Sequence, residues 1–265
     1  MLKKIILAIC LITLAISPSS YAKEPVKSNQ KNDIKVPDSV VDISKENTYP
    51  NPSHDEPRLQ PSQLTKALLK TAKIDIQNPT LIKLLNESNI HTSKLSLGYH
   101  ARIYLGKWPL TYESNKTTVN WEYKQVNDND LDARGSEANQ KLTYNQKQQA
   151  RVMGGLTAKV PAEKEVKKLM LMEAAENTAL PISFSTIVGQ GTKINRVYHV
   201  EPKKVGHLSG YVPAVNEKGK ITYGEVYLVL KGGKKYLEVK NLVQQGIGAW
   251  IPIQDHVTLR YTVTN

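Results

Sequence analysis

Apolar residues along the chain follow two different periods. From Pro61-Ser62 the spacing is helical: Leu64, Ala67, Leu68 and Ala72 share one face behind a serine placed to cap the first turn. A second short helix is predicted where Pro79 takes a first-turn position and Leu81, Ile82, Leu84 and Leu85 supply an apolar side, before Asn86 and Asn89 end it. The period then falls to two. Leu95, Leu97, Tyr99, Ala101, Ile103 and Leu105 alternate with Ser96, His100, Arg102 and Tyr104, the pattern of a half-buried strand. Similar segments recur around Thr117 to Val126, Lys141 to Gln149, Leu156 to Val160, Ile182 to Val188 and Arg196 to Val200. One helical interval interrupts them, from Pro161 to about Asn177, where Val166, Leu169, Met170 and Ala174 follow a first-turn Glu163. After His207 the strand signal is strongest. Tyr211 to Val215 is followed by an expected turn at Asn216-Glu217-Lys218-Gly219, then Ile221 to Leu230 and a tight hairpin at Lys231-Gly232-Gly233-Lys234. Ile247 to Ile253 and Val257 to Val263 complete the series. The fold class is α+β: a predominantly antiparallel multi-strand sheet, two short N-terminal helices and one longer helix inserted near 161–178.

Ahead of this periodic region the pattern differs. Lys3 and Lys4 precede an apolar run from Ile5 to Ile16 and the small-x-small triplet Ser20-Tyr21-Ala22. That is the layout of a signal peptide cleaved after Ala22, and the run is shorter than the ~20 residues a membrane-spanning helix needs. Residues 23–60 are rich in Pro, Asn, Ser and Lys and form a polar tether by composition. Within it Thr48-Tyr49-Pro50-Asn51-Pro52 is held extended by its prolines and can dock on the domain as a strap. The expected organisation is a signal peptide over 1–22, a tether over 23–60 and a single α+β domain over 61–265.

Export changes how cysteine and charge are read. Cys10 is the one cysteine of the chain, so cleavage leaves no thiol for a disulfide, a thiolate metal site or a nucleophile. The net charge is +12, from 36 Lys plus Arg against 24 Asp plus Glu, and lysine supplies most of it. A basic chain outside the cytoplasm has anionic cell-wall or membrane polymers as its expected partners, or a partner protein, and no nucleic acid. Thirteen tyrosines against one phenylalanine suit a sheet with one wet face. Trp108, Trp121 and Trp250 are the candidate surface-binding residues, since their rings can stack on sugars.

No catalytic, cofactor or metal residues are assigned. Asp128, Asp130 and Asp132 have calcium-loop spacing, yet Ala133 and Asn139 stand where the loop needs glycine and glutamate. His54, His91, His100, His199, His207 and His256 never fall in a zinc spacing. Gly206-His207-Leu208-Ser209-Gly210 lacks the glycine two before the serine that a nucleophile elbow requires, and Gly189-Gln190-Gly191 is a turn rather than a phosphate loop. Glu113, Glu122, Glu225 and Asp255 lie near aromatic residues, and a pair about 5 to 10 Å apart can hydrolyse a glycoside.

Several segments together resemble the YfkD-like proteins of Bacillus and its relatives. They are Glu46 to Pro52, YLGKWPL at 104–110, VNWEY at 119–123, GGLTAKVP at 154–161, YVPAVNEKGKITYGEVYLVLKG at 211–232 and QGIGAWIPIQDHV at 245–257. The resemblance runs from about Val41 to the end. It implies an exported protein of a Gram-positive, spore-forming lineage, in a functionally uncharacterised family that lends no catalytic residue. The expected function is a non-catalytic, envelope-associated binding or structural module. The alternative is an extracytoplasmic, for example glycan-cleaving, hydrolase whose carboxylates converge only in three dimensions.

Overall fold

The apolar alternation from Val205 to Lys231 belongs to one uninterrupted strand. The computed structural model describes residues 34–52, 59–88, 90 and 98–265. The leader reading at 1–22, Cys10, His54, His91 and the strand start at Leu95 lie outside the described residues. In chain order the elements are β1 (Val40–Asp42), α1 (Gln63–Leu69), α2 (Pro79–Glu87), β2 (His100–Asp132), β3 (Gln140–Asn145), β4 (Ala150–Met153) and β5 (Gly155–Leu156). They continue with α3 (Glu163–Thr178), β6 (Ser185–Val188), β7 (Lys193–Val200), β8 (Val205–Lys231), β9 (Lys234–Pro252) and β10 (His256–Thr264). All pairings between these strands are antiparallel, and the class is α+β.

β8 is the axis of the main sheet. Its 27 residues, at ~3.3 Å each, run about 90 Å. One edge pairs with β10 and then β9, giving the order β1-β10-β8-β9-β5, and the other edge carries β2 from Asp132↔Val205 to His100↔Lys231. β2 needs 33 residues to follow those 27, because it shifts register against β8 at five places, each time using more residues than β8 does. Each shift is a bulge that strengthens the local twist. Pro109, which can donate no ladder bond, sits beside one of them on this edge strand, and the amides of Gln77 and Asn78 cap its outer side by donating to Leu110 O.

Two sequence expectations are corrected by this axis. The strands read separately at 95–105 and 117–126 fall on one strand over the described part, because the intervening Gly106 and Pro109 accompany bulges rather than breaks. The turn expected at Asn216 to Gly219 does not exist. That stretch alternates in the middle of β8, with Glu217 and Gly219 facing in and Asn216 and Lys218 facing out. Gly219 is there for close approach: a Cβ on it would lie 2.2 Å from Glu113 O. The two-residue hairpin at Lys231 to Lys234 is present, with Gly232 at φ 56°.

Three apolar clusters lie on alternating faces of β8. Odd-numbered Val215, Ile221 and Tyr223 pack under α3 through Val166, Leu169, Met170 and Ala174. Even-numbered Val226 and Leu228 pack under α1 and α2 through Leu68, Leu81 and Leu85. At the other end even-numbered Leu208 and Val212 pack against the β3–β7 and β4–β6 pairs through Leu142, Val152, Val188 and Ile194. Ser62 caps α1 and Asn78 caps α2, each accepting from first-turn amides.

The tether expected over 23–60 is part of the fold from Val40. Val40, Val41 and Asp42 pair with Thr258, Val257 and His256, and Ile43 is fully buried. Asn47 Nδ2 donates to Ile187 O (2.9 Å) and Asp255 Oδ1 (3.0 Å), and its Oδ1 accepts from Gly189 N (2.9 Å). Asn51 repeats the pattern on the same two acceptors and accepts from Ile187 N. A Cβ on Gly189 would stand 2.1 Å from Thr48 Oγ1, so that glycine lets the strap lie flat. Polar composition here marks side chains that bond to the domain's backbone rather than to water.

Candidate functional surface

The alternation of covered faces leaves one stretch of the main sheet open. Between the helices over Val226 and the small sheets over Val212, the even face of β8 presents Asn216, Lys218 and Lys220, with Lys218 and Lys220 exposed. On β2, Lys116 stands opposite Lys218, Thr118 opposite Asn216 and Glu113 opposite Lys220, and all three are exposed. On β9 the partners are Gly248, Trp250 and Gly246. The β9 side of the floor thus presents Trp250 and an exposed Gly246, with Gly248 buried under Thr157, and the other side carries three lysines and Glu113. Among the described residues Lys116, Lys218 and Lys220 have no ion-pair partner, and the side chains of Asn216 and Thr118 have no hydrogen-bond partner.

Trp250 belongs to this face, because its neighbours Ala249 and Ile251 point the other way into the cluster under α3. Its ring stacks on Tyr123 at 5.0 Å between centroids and 21° between planes. The other two tryptophans are elsewhere. Trp108 packs on the α1–α2 cluster and donates from Nε1 to Leu105 O at 2.8 Å. Trp121 packs on the α3 cluster, and its carbonyl accepts from Thr258 Oγ1. The structure does not bring the three rings together.

Directly behind the lysines is a group the sequence hid. Glu217 is fully buried on the α3 side, where Oε1 accepts from Tyr112 OH (2.9 Å) and Oε2 from Thr117 Oγ1 (2.6 Å). Burial raises its carboxyl above the ordinary range, and hydrogen bonds from Ser114, Thr117 and Tyr112 oppose that rise. Burial and the neighbouring Glu217 raise the Tyr112 phenol as well. Within an expected turn it was hidden, although its alternation with Val215 and Ile221 was a signal of inward orientation.

The remaining candidates are dispersed. Asp128 accepts from Ser209 Oγ (2.9 Å), and Asp130 meets His207 Nδ1 (2.6 Å), whose Nε2 lies 3.2 Å from Thr264 Oγ1. Asp132 is held by Arg134, whose hydrogen bonds lower its carboxyl to about 2. These three carboxylates step along one strand with separate partners, and among the described residues no group of three or more His, Cys, Asp or Glu could hold a metal. Glu122 pairs with Arg260 (3.1 Å), Glu225 accepts from Tyr227 (2.9 Å), Asp255 fixes the strap and Glu113 is exposed opposite Lys220, so the four carboxylates near aromatic residues have different surroundings. A cavity of about 240 Å³ between α2 and α3 is walled by Leu59, Pro61, Pro79, Ile82, Leu169 and Met172 and carries a single carboxylate, Glu173, and no aromatic ring.

Comparison with known proteins accords with the resemblance read from the sequence. The chain is 53% identical over 265 residues to "Uncharacterized protein YfkD" of Bacillus subtilis (strain 168), covering 100% of this chain and 99% of that protein. Among solved structures, "Crystal structure of Lamprey immune protein" aligns with 62% of this chain and 53% of its own at 6% identity and a TM-score of 0.26, too low to carry a conclusion. The family model described as YfkD-like protein matches residues 37–265, beginning just before the β1 strap. The chain belongs to the YfkD-like family.

Proposed function

We propose that the mature chain is an exported, non-catalytic envelope protein that holds anionic wall or membrane polymers on the open lysine face of β2, β8 and β9. The observation that carries this reading is the row Lys116, Lys218 and Lys220, exposed and without an ion pair among the described residues, with Glu113 as the one carboxylate opposite the row. Lysines in such a row act as point charges, each able to release a counter-ion from a polyanion without the fixed geometry an arginine fork demands. The strong positive balance of the whole chain adds long-range attraction. Export rests on the leader layout at 1–22, with Lys23 as the mature N-terminus. Among the described residues no helix is long and apolar enough to cross a membrane.

Sedimentation with purified cell walls and with anionic liposomes, across a salt series, tests the reading. Binding at low salt that falls steeply toward physiological ionic strength, where screening acts within about 8 Å, is the expected result. Replacing Lys116, Lys218 and Lys220 together by glutamine should abolish it without changing the melting temperature. No binding at low salt overturns the reading, and turnover in a parallel wall-hydrolysis assay would put the carboxylate enzyme in its place. Mass spectrometry of secreted material checks the mature N-terminus.

A further inference from the structure

Resting on that reading, we infer that the polymer held on this face is an acidic saccharide, with a sugar ring placed against the Trp250–Tyr123 stack. Charge alone would be served by lysines anywhere on the surface. What sets this stretch apart is the order of chemistry across three neighbouring strands. Trp250 stands opposite Asn216, which stands opposite Thr118, and one register step along are Gly248, Lys218 and Lys116. An apolar ring, an amide, a hydroxyl and two cations thus share one face within two residue steps, about 7 Å along the strand.

Each group matches a different part of an acidic sugar. The C–H face of a pyranose ring packs on an indole, which offers area at little entropy cost. Ring hydroxyls need both donors and acceptors, and the side chains of Asn216 and Thr118 supply both and have no partner among the described residues. The carboxylate or phosphate meets Lys218 and Lys116. On the β9 side Gly246 is exposed and has no side chain, so the chain of rings can lie close to the backbone there, whereas Gly248 is buried under Thr157. Thr157 bounds this open stretch: its Oγ1 accepts from Gly248 N at 3.1 Å and stands where a Cβ on Gly248 would be. A polymer of charge without rings would leave Trp250, Asn216 and Thr118 idle, and a lipid surface would meet a polar amide and hydroxyl where it needs apolar anchors.

Binding of the intact mature chain to two polymers separates these cases: polygalacturonate, made of acidic pyranose rings, and inorganic polyphosphate of matched charge, which has none. Wild type should bind polygalacturonate with an affinity about three- to tenfold above polyphosphate at physiological salt, the size of one aromatic contact. The excess should persist at about 0.5 M salt, where charge attraction between exposed groups is largely screened. Trp250→Ala should erase the preference and Trp250→Phe restore most of it. Asn216→Ala, which leaves the aromatic stack in place, should reduce the preference and keep polyphosphate binding unchanged, so the outcome does not hang on whether Trp250→Ala folds. Equal binding of both polymers by wild type, or a preference surviving undiminished in Asn216→Ala or in a folded Trp250→Ala, overturns this inference and leaves the lysine reading standing. Failure of both polymers at low salt overturns the lysine reading itself.

Discussion

At the scale of single residues the sharpest consequence belongs to Glu217. It is buried among hydroxyl donors, its carboxyl is raised by desolvation, and Tyr112, Ser114 and Thr117 from β2 with Glu173 and Asn177 of α3 are the polar groups around it. A carboxyl whose folded value lies above its unfolded value near 4.5 contributes stability that is complete below that pH and lost as the pH rises through the folded value. Urea titrations between about pH 4 and pH 8 should therefore show the wild type losing stability relative to Glu217→Gln as the pH climbs, with the difference between them vanishing in acid. A constant difference at all pH values would mean that the Glu217 carboxyl titrates alike in the folded and unfolded states. In acid, Glu217→Ala should cost about 1–3 kcal/mol for the hydroxyls it leaves without an acceptor, with a further loss for the cavity, and the cost should shrink as the pH rises. Asn47→Ala, which strips three backbone groups and Asp255 of a shared partner, should cost about as much, read from the same titrations.

At the scale of elements the strap decides where the domain begins. A chain starting near Pro61 would lose β1, the Ile43 side chain and the Asn47 and Asn51 bonds, so it should unfold at markedly lower urea than one starting near Lys35. Ile43→Ala alone should cost about 2–5 kcal/mol. A trimmed chain of unchanged midpoint would return this segment to the status of a linker. Composition concealed it: Asn, Pro and Ser are loop residues by propensity, and only the side-chain partners on Ile187 and Asp255, more than a hundred positions away, make them structural. What was legible were features whose cause is local. The glycine pair sets the hairpin, Ser62 and Asn78 sit at helix starts, and alternation gives strand content. Strand length was not legible, because a bulge at Pro109 and a polar stretch at 216–219 look like ends until the partner strand shows that pairing continues. The candidate surface was half legible: the lysines and Trp250 were visible as types, while their placement on one face depended on correcting that turn.

At the scale of the whole molecule, stability rests on three clusters sharing one strand, with no metal cluster among the described residues and no cysteine after Cys10. Chelator and reductant should leave the melting temperature of the mature protein unchanged. A rise of many degrees with calcium would instead assign a site to Asp128, Asp130 and Asp132. The clusters should also melt together, since Leu208, Ile221 and Leu228 stand on the same backbone. Separate transitions by tryptophan fluorescence and far-ultraviolet dichroism would contradict that.

The same arrangement governs how the chain meets itself before it is complete. β2 emerges from synthesis far ahead of β8, and β3 to β7 with α3 must all follow before its partner exists. For that interval its ladder groups have nothing of their own to bind, and a long strand in this condition is a template for pairing with another copy. The five register shifts, with Pro109 beside one of them, make β2 a poor match for a straight neighbour and a good one for β8. Irregularity in this strand thus acts as protection against aggregation, and removing the bulge residues should lower the yield of soluble protein on refolding well before it alters the melting point of what does fold.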